Sequence, residues 1–249
     1  MAGQSRFCRL LWLCFCLWLA PLSAAEYQIV SAPEVKRMQS QGVLLINTLS
    51  SIEYELQHIA GSINIPVNRL ADSERLPADR GEPLIFYCMG VRCPYSERAS
   101  ALALEQGYRR VYWFRGGIPE WHRYNYPLVV NEAMAGISVA KLSPEEVEAL
   151  RRRRPELAIL DVRPRWWRPS QNFLAGTTGI PLIELEEKRE HLSRGRPLLI
   201  TDGAMLQSLS AAKYLAHHGY EVVGILKGGI ERWEKERYPT VPADEVTFP

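Results

Sequence analysis

Apolar residues along the chain gather in short continuous runs rather than in long stripes or strict alternation. Val43 to Asn47, Leu84 to Tyr87 and Val111 to Phe114 form one set, and Ala158 to Val162, Leu198 to Thr201 and Val222 to Leu226 form another. Runs this short and this continuous predict strands buried on both faces. Between them the pattern turns helical, over Ser96 to Gln106 and Ser208 to His218, each stretch ending at a glycine suited to the position after a helix end. Ser143-Pro144-Glu145-Glu146 predicts another helix start, with serine as cap and proline in the first turn. Strands alternating with helices imply an α/β fold: a mostly parallel, doubly wound sheet with helices on both faces.

The two sets are copies of one module. Gly116-Gly117-Ile118, Trp121 and Tyr126-Pro127 recur as Gly228-Gly229-Ile230, Trp233 and Tyr238-Pro239, 112 residues later. Gly107-Tyr108 and Gly219-Tyr220 keep that spacing, as do Ser31 and Ser143, whereas Pro83-Leu84 and Pro197-Leu198 stand 114 apart. Two homologous domains are therefore expected, over residues 26–130 and 138–249, joined by a linker at 131–137. Trp166-Trp167, beside Arg168, have no counterpart in copy one and are expected at the domain interface or on a recognition surface; Met205 and Leu206 are expected to pack or to face a partner.

The first 25 residues follow another logic. Arg6 and Arg9 precede an apolar run from Leu10 to Leu22, and Ser23-Ala24-Ala25 makes a small-residue cleavage pattern before Glu26. As a helix that run covers roughly 20 Å, against a hydrocarbon core of about 30 Å. A signal peptide cut after Ala25 is expected, placing the mature protein in the periplasm or outside the cell without stable membrane insertion. Removing Arg6 and Arg9 from the 30 basic residues leaves 28, equal to the 28 acidic ones. That balance argues against a nucleic-acid or anionic-membrane surface. Of five cysteines only Cys88 and Cys93 lie beyond the leader, too few for a disulfide framework or a four-cysteine zinc site, and no metal or other cofactor is called for.

Candidate chemistry concentrates in the loop from Cys88 to Ser96, between a predicted buried strand and a predicted helix. The drop in offset from 114 to 112 makes this loop two residues longer than its counterpart from Asp202 to Ser208. Loops at the carboxyl ends of such strands bind ligands, and amides at a helix start favour anions and thiolates. Cys88 is the expected nucleophile. Met89, Gly90, Val91, Arg92 and Cys93 are the expected substrate-binding residues, with Arg92 as a fixed positive charge and Cys93 as a candidate redox partner of Cys88. Copy two has Asp202 in place of Cys88, a carboxylate that takes up the anion-binding amides itself, and is expected to be inactive.

Taken together, Glu53-Tyr54, His58-Ile59-Ala60-Gly61-Ser62-Ile63-Asn64-Ile65-Pro66, Phe86-Tyr87-Cys88, Gly107-Tyr108 and Gly116-Gly117-Ile118-Pro119-Glu120-Trp121 resemble the rhodanese family, in a tandem arrangement. The resemblance implies sulfurtransferase activity. Cys88 would accept sulfane sulfur as a persulfide from thiosulfate or a related small donor and yield it to a thiol, a cyanide-like acceptor or a protein. Copy one departs from the family pattern with Asn47 and Leu49 where aspartate and arginine are usual; copy two keeps Asp161 and Arg163. The loop also departs, with glycine two, arginine four and a second cysteine five positions after Cys88, and no arginine six after it as a cysteine phosphatase would need. The added Cys93 opens an alternative, a non-catalytic binding or thiol/disulfide redox-switch module.

Overall fold

The computed structural model describes residues 26–165, 171–204 and 207–249. The leader, Trp166, Trp167, Arg168, Met205 and Leu206 lie outside the described residues.

Copy one runs β1 (Gln28–Ile29), α1 (Ala32–Ser40), β2 (Leu44–Asn47), α2 (Ser51–Leu56), β3 (Gln57–Ile59), β4 (Ile63–Asn64), β5 (Leu84–Tyr87), α3 (Tyr95–Glu105), β6 (Val111–Phe114), α4 (Gly117–Arg123) and β7 (Leu128–Val130). After α5 (Glu132–Ala135), copy two follows as β8 (Lys141–Leu142), α6 (Pro144–Arg153), β9 (Ala158–Asp161), β10 (Thr177–Gly179), α7 (Leu182–Lys188), β11 (Leu198–Thr201), α8 (Ser208–His217), β12 (Val222–Leu226) and α9 (Gly229–Lys235). The main sheets have the orders β1-β6-β5-β2-β4 and β8-β12-β11-β9-β10, which correspond strand for strand, and all their pairings are parallel. The antiparallel pair of β3 and β7 survives in copy two as a single bridge between Phe173 and Val241.

The apolar runs behave as their continuity predicts. Every residue of β5 and β11 is buried, and alternate residues of copy two's strands feed two separate core clusters. Leu160, Leu198, Ile200 and Ile225 pack with α7 and α8, while Ile159, Leu199 and Leu226 pack with Val147 of α6 and Ile230 and Trp233 of α9. Helices thus cover both faces, the condition a parallel sheet requires. Ser143 caps α6 in a capping box with Glu146, and Ser31 does the same for α1 with Glu34. Beyond α3 and α8, Tyr108 N donates to Ala103 O and Tyr220 N to Leu215 O across Gly107 and Gly219, the bonds of a Schellman stop.

Residues 131–137, expected as a linker, carry structure of their own. Asn131 Oδ1 accepts from Met134 N and starts α5, and Met134 is fully buried in the core of copy two. Ile52 of α2 enters that same core, and α2 packs on α7 and α8. The two copies therefore share apolar contacts, and the carboxyl edges of their sheets meet near Tyr95 and Gln207, where Gln207 Nε2 donates to Tyr95 Oη at 3.2 Å. These two residues are 112 apart, so equivalent positions of the repeat touch.

The copies solve one local problem differently. In copy two Asp161 and Arg163 form a buried pair at 2.7 Å, with Arg163 N also donating to Asp161 Oδ1 at 2.9 Å. In copy one Asn47 Oδ1 accepts the equivalent amide, Leu49 N, at 2.9 Å, and the buried Leu49 replaces the guanidinium. Breaking a buried ion pair from one side costs about 3–5 kcal/mol, while replacing both partners by a packed alternative is far cheaper. Asp161→Asn is expected to lose about that much stability in urea unfolding, and Asp161→Asn/Arg163→Leu to recover most of it. A double variant no more stable than the single one would contradict this.

Candidate active site

In the sheet of copy one the chain moves one way from β2 to β4 and the other way to β5, so the strand order reverses between β2 and β5. Open α/β sheets bind ligands at this crevice. Cys88 follows directly on β5, and Thr48 N, just beyond β2, donates to Tyr87 O at 3.1 Å across the switch point.

The repeated Gly-Gly-Ile motif sets the loop. Gly117, with φ +54°, lies so close to the loop backbone that a Cβ there would sit 2.2 Å from Cys88 O and 2.7 Å from Gly90 N. Only glycine permits that approach. Ile118 N then donates to Cys88 O at 3.2 Å. Copy two repeats the arrangement: a Cβ on Gly229 would meet Asp202 O at 2.5 Å, and Ile230 N donates to Asp202 O at 2.9 Å.

Around the Cys88 sulfur the donors converge. Cys88 Sγ lies 3.0 Å from Ser96 Oγ, in the first turn of α3. Trp113 Nε1 donates to that Ser96 oxygen at 2.9 Å, which leaves the serine hydrogen free to point at sulfur. The backbone amides of Ser96 and Gly90 also serve the sulfur. Burial pushes the Cys88 thiol up, but the hydrogen bonds from Cys93, Ser96 and the loop amides outweigh it, and the net direction is down. Cys93 moves the other way, well up, because its interaction with Cys88 favours the neutral thiol and the side chain is half-buried. Of the two, Cys88 is the more acidic thiol and Cys93 the less acidic one. Both cysteines are free, and the Cys88 thiol donates to Cys93 O at 3.3 Å.

The loop separates two depressions. A cavity of about 200 Å³ lies between the copies, walled by Leu49, Glu53, Cys93, Tyr95 and Gln207, with Met89 and Arg92 at its loop side. An open groove on the other side takes in Met89, Gly90, Val91 and Arg92 with Arg115 and Arg123. The predicted binding residues are thus all on one wall or the other, with Arg92 exposed at the rim shared by both. Cys88 is only 1% exposed, and the thiol on the cavity wall is that of Cys93.

Several site residues went unseen in the sequence. Ser96 carried a signal, its recurrence as Ser208, but only the fold puts it against sulfur. Trp113 comes from β6 and Gln207 from the other copy, so no local pattern joins them to Cys88. Copy two keeps Ser208 without its use, since Ile225 stands where Trp113 does and Ser208 Oγ has no hydrogen-bond partner among the described residues. Asp202 Oδ2 there accepts from Gln207 N at 2.6 Å and Ser208 N at 2.8 Å, so the carboxylate occupies the amides of its own loop. In doing so it also holds Gln207, whose side chain closes the cavity of copy one.

Glu53, third residue of α2, is capped by Ser50 and buried on the cavity wall, and burial raises its carboxyl to about 7.

Against known proteins, residues 31–124 and 143–236 each match the Rhodanese-like domain, and the chain belongs to that family, with two such domains in tandem. Over 119 residues it is 30% identical to an HTH-type transcriptional regulator of Mycobacterium tuberculosis, a match covering 44% of this chain and 51% of the regulator. Over 103 residues it is 31% identical to a tRNA uridine(34) hydroxylase of Hamiltonella defensa, covering 39% of this chain and 28% of the hydroxylase. The chain therefore spans about half of the first of these relatives and under a third of the second. A crystal structure of a thiosulfate sulfurtransferase from Pseudomonas aeruginosa aligns with 89% of this chain and 44% of its own, at 17% identity and a TM-score of 0.42.

Two predictions follow from the site's electrostatics. Ser96→Ala removes a donor to the Cys88 thiolate, so its pKa is expected to rise, seen as a shift of the thiolate ultraviolet absorbance to higher pH; an unchanged titration would contradict the role given to Ser96. For Glu53 the folded state prefers the neutral carboxyl, so its contribution is full below the ordinary carboxylate pKa and is lost as pH rises towards about 7. The stability difference between Glu53→Gln and wild type is expected to shift in favour of the variant between pH 4.5 and 7.5, on the order of 3 kcal/mol. A pH-independent difference in urea unfolding would refute it.

Proposed function

We propose that this protein is a sulfurtransferase in which Cys88 carries sulfane sulfur from thiosulfate or a related small donor to a thiophilic acceptor. The observation that carries the reading is the set of donors converging on a buried sulfur at the strand end, within a rhodanese-like domain. With thiosulfate, the Cys88 thiolate attacks the outer sulfur, the sulfur–sulfur bond of the donor breaks, and sulfite leaves with the bonding pair. The Cys88 persulfide inherits the negative charge and the donors that held the thiolate, which is how preorganised dipoles favour such a step. A thiol, cyanide or a protein acceptor then attacks the outer sulfur and restores the thiolate.

Copy two is the supporting partner in this scheme, with Asp202 filling its own anion site and Gln207 finishing the cavity. The leader directs export, with the mature chain beginning at Glu26 in the periplasm or outside the cell. Among the described residues no helix is long and apolar enough to cross a membrane.

Reduced protein mixed with thiosulfate is expected to release one sulfite per chain in a first burst, and Cys88→Ser to release none. Sulfite release by Cys88→Ser would overturn the assignment. No sulfite release by wild type with thiosulfate, together with no sulfur added to its intact mass by inorganic polysulfide, would favour the redox-module reading, for which the contact of Cys88 with Cys93 is the motivating observation.

A further inference from the structure

We infer that Cys93 resolves the Cys88 persulfide, expelling its outer sulfur as hydrosulfide and leaving a Cys88–Cys93 disulfide. The inference rests on the sulfurtransferase reading and specifies where the sulfur goes when no external acceptor intervenes.

The loop's own geometry carries it. Cys93 N donates to Gly90 O at 2.9 Å, a tight turn that brings residue 93 back over residue 88, and Cys88 Sγ then lies 3.3 Å from the Cys93 carbonyl. This turn makes Cys93 the nearest other thiol to Cys88, so the group that Cys93 meets is the sulfur bonded to the Cys88 carbon, the inner sulfur of a persulfide. Cys88 is 1% exposed, whereas Cys93 forms part of the cavity wall. An acceptor entering the cavity encounters Cys93 first, and the nearest nucleophile to the persulfide belongs to the protein itself. Copy two, whose loop is two residues shorter, has no cysteine there at all.

The step balances without an added oxidant. Persulfide on Cys88 and thiol on Cys93 become one disulfide and one hydrosulfide ion. The bond between Cys93 Sγ and Cys88 Sγ forms, the bond from Cys88 Sγ to the outer sulfur breaks, and the departing sulfur leaves with that electron pair and the Cys93 proton. The oxidation level of the sulfane sulfur passes to the two cysteines, and a dithiol reductant must return them to thiols before another turnover. Cys93 is the less acidic thiol of the pair, which suits a group that acts only after Cys88 has been loaded.

The test uses the full chain, reduced and then freed of reductant, in wild-type, Cys93→Ser and Cys93→Ala forms. Each is mixed with thiosulfate, or with inorganic polysulfide as a second donor, and sulfite, hydrosulfide and intact mass are followed. With thiosulfate, sulfite reports loading of Cys88 and hydrosulfide reports resolution; with polysulfide, intact mass reports both, as a persulfide or a disulfide, so the two claims fail separately. Wild type is expected to release one hydrosulfide per chain with no thiol present and to end as a disulfide mapped between residues 88 and 93. Both variants are expected to release sulfite with thiosulfate but no hydrosulfide, and to accumulate persulfide on Cys88 until an external thiol is added. A wild-type persulfide as long-lived as that of the variants, or a stable persulfide on Cys93, would overturn the inference while leaving the sulfurtransferase reading intact. No loading of any form by either donor would overturn both.

Discussion

The site depends on one close approach, that of the Gly117 backbone to the peptide following β5. Because residue 117 has no Cβ, α4 begins in contact with Cys88 O and Gly90 N, and Ile118 N bonds the Cys88 carbonyl. That contact fixes the first half of the loop. The start of α3 fixes the second half, and the sulfur between them is held by Ser96, by loop amides and by Cys93. Burying a thiolate is costly unless hydrogen bonds meet it, and here they outweigh the loss of solvent. The same backbone frame in copy two, built on Gly229, holds a carboxylate instead.

Each copy has kept what the other gave up. Copy two retains the buried Asp161–Arg163 pair but has no thiol, and its Ser208 hydroxyl has lost its purpose. Copy one has the cysteines but replaces the ion pair with Asn47 and Leu49. The exchange has a consequence for the site, since Leu49 rather than an arginine walls the cavity beside Cys93. Copy two is no idle appendage: Ile52 of copy one is rooted in its core, and Gln207 reaches Tyr95 at the mouth of the α3 turn.

Much of this was legible in the residues. The continuous apolar runs marked the central strands to within a residue, because a strand buried on both faces has no freedom to be polar. The Gly-Gly-Ile repeat betrayed the duplication, and the change in offset located the loop that differs. What stayed hidden depends on distant partners. Trp113 reaches Ser96 through the pairing of β5 with β6, and Gln207 reaches Tyr95 through docking of two domains; neither leaves a local trace. The segment 131–137 looked like a linker because four helical residues carry too little pattern to show that Met134 is buried. The short edge strands β1 and β8, two residues each, were equally invisible.

The central claim is that the donors of the loop make Cys88 the more acidic of the two cysteines. Site-resolved titration of the two cysteine β-carbons by NMR, on reduced protein labelled at cysteine, tests it most directly. Cys88 is expected to titrate first, below the ordinary thiol value, and Cys93 second, above it. Titration in the reverse order, or of both at the ordinary value, would contradict the account.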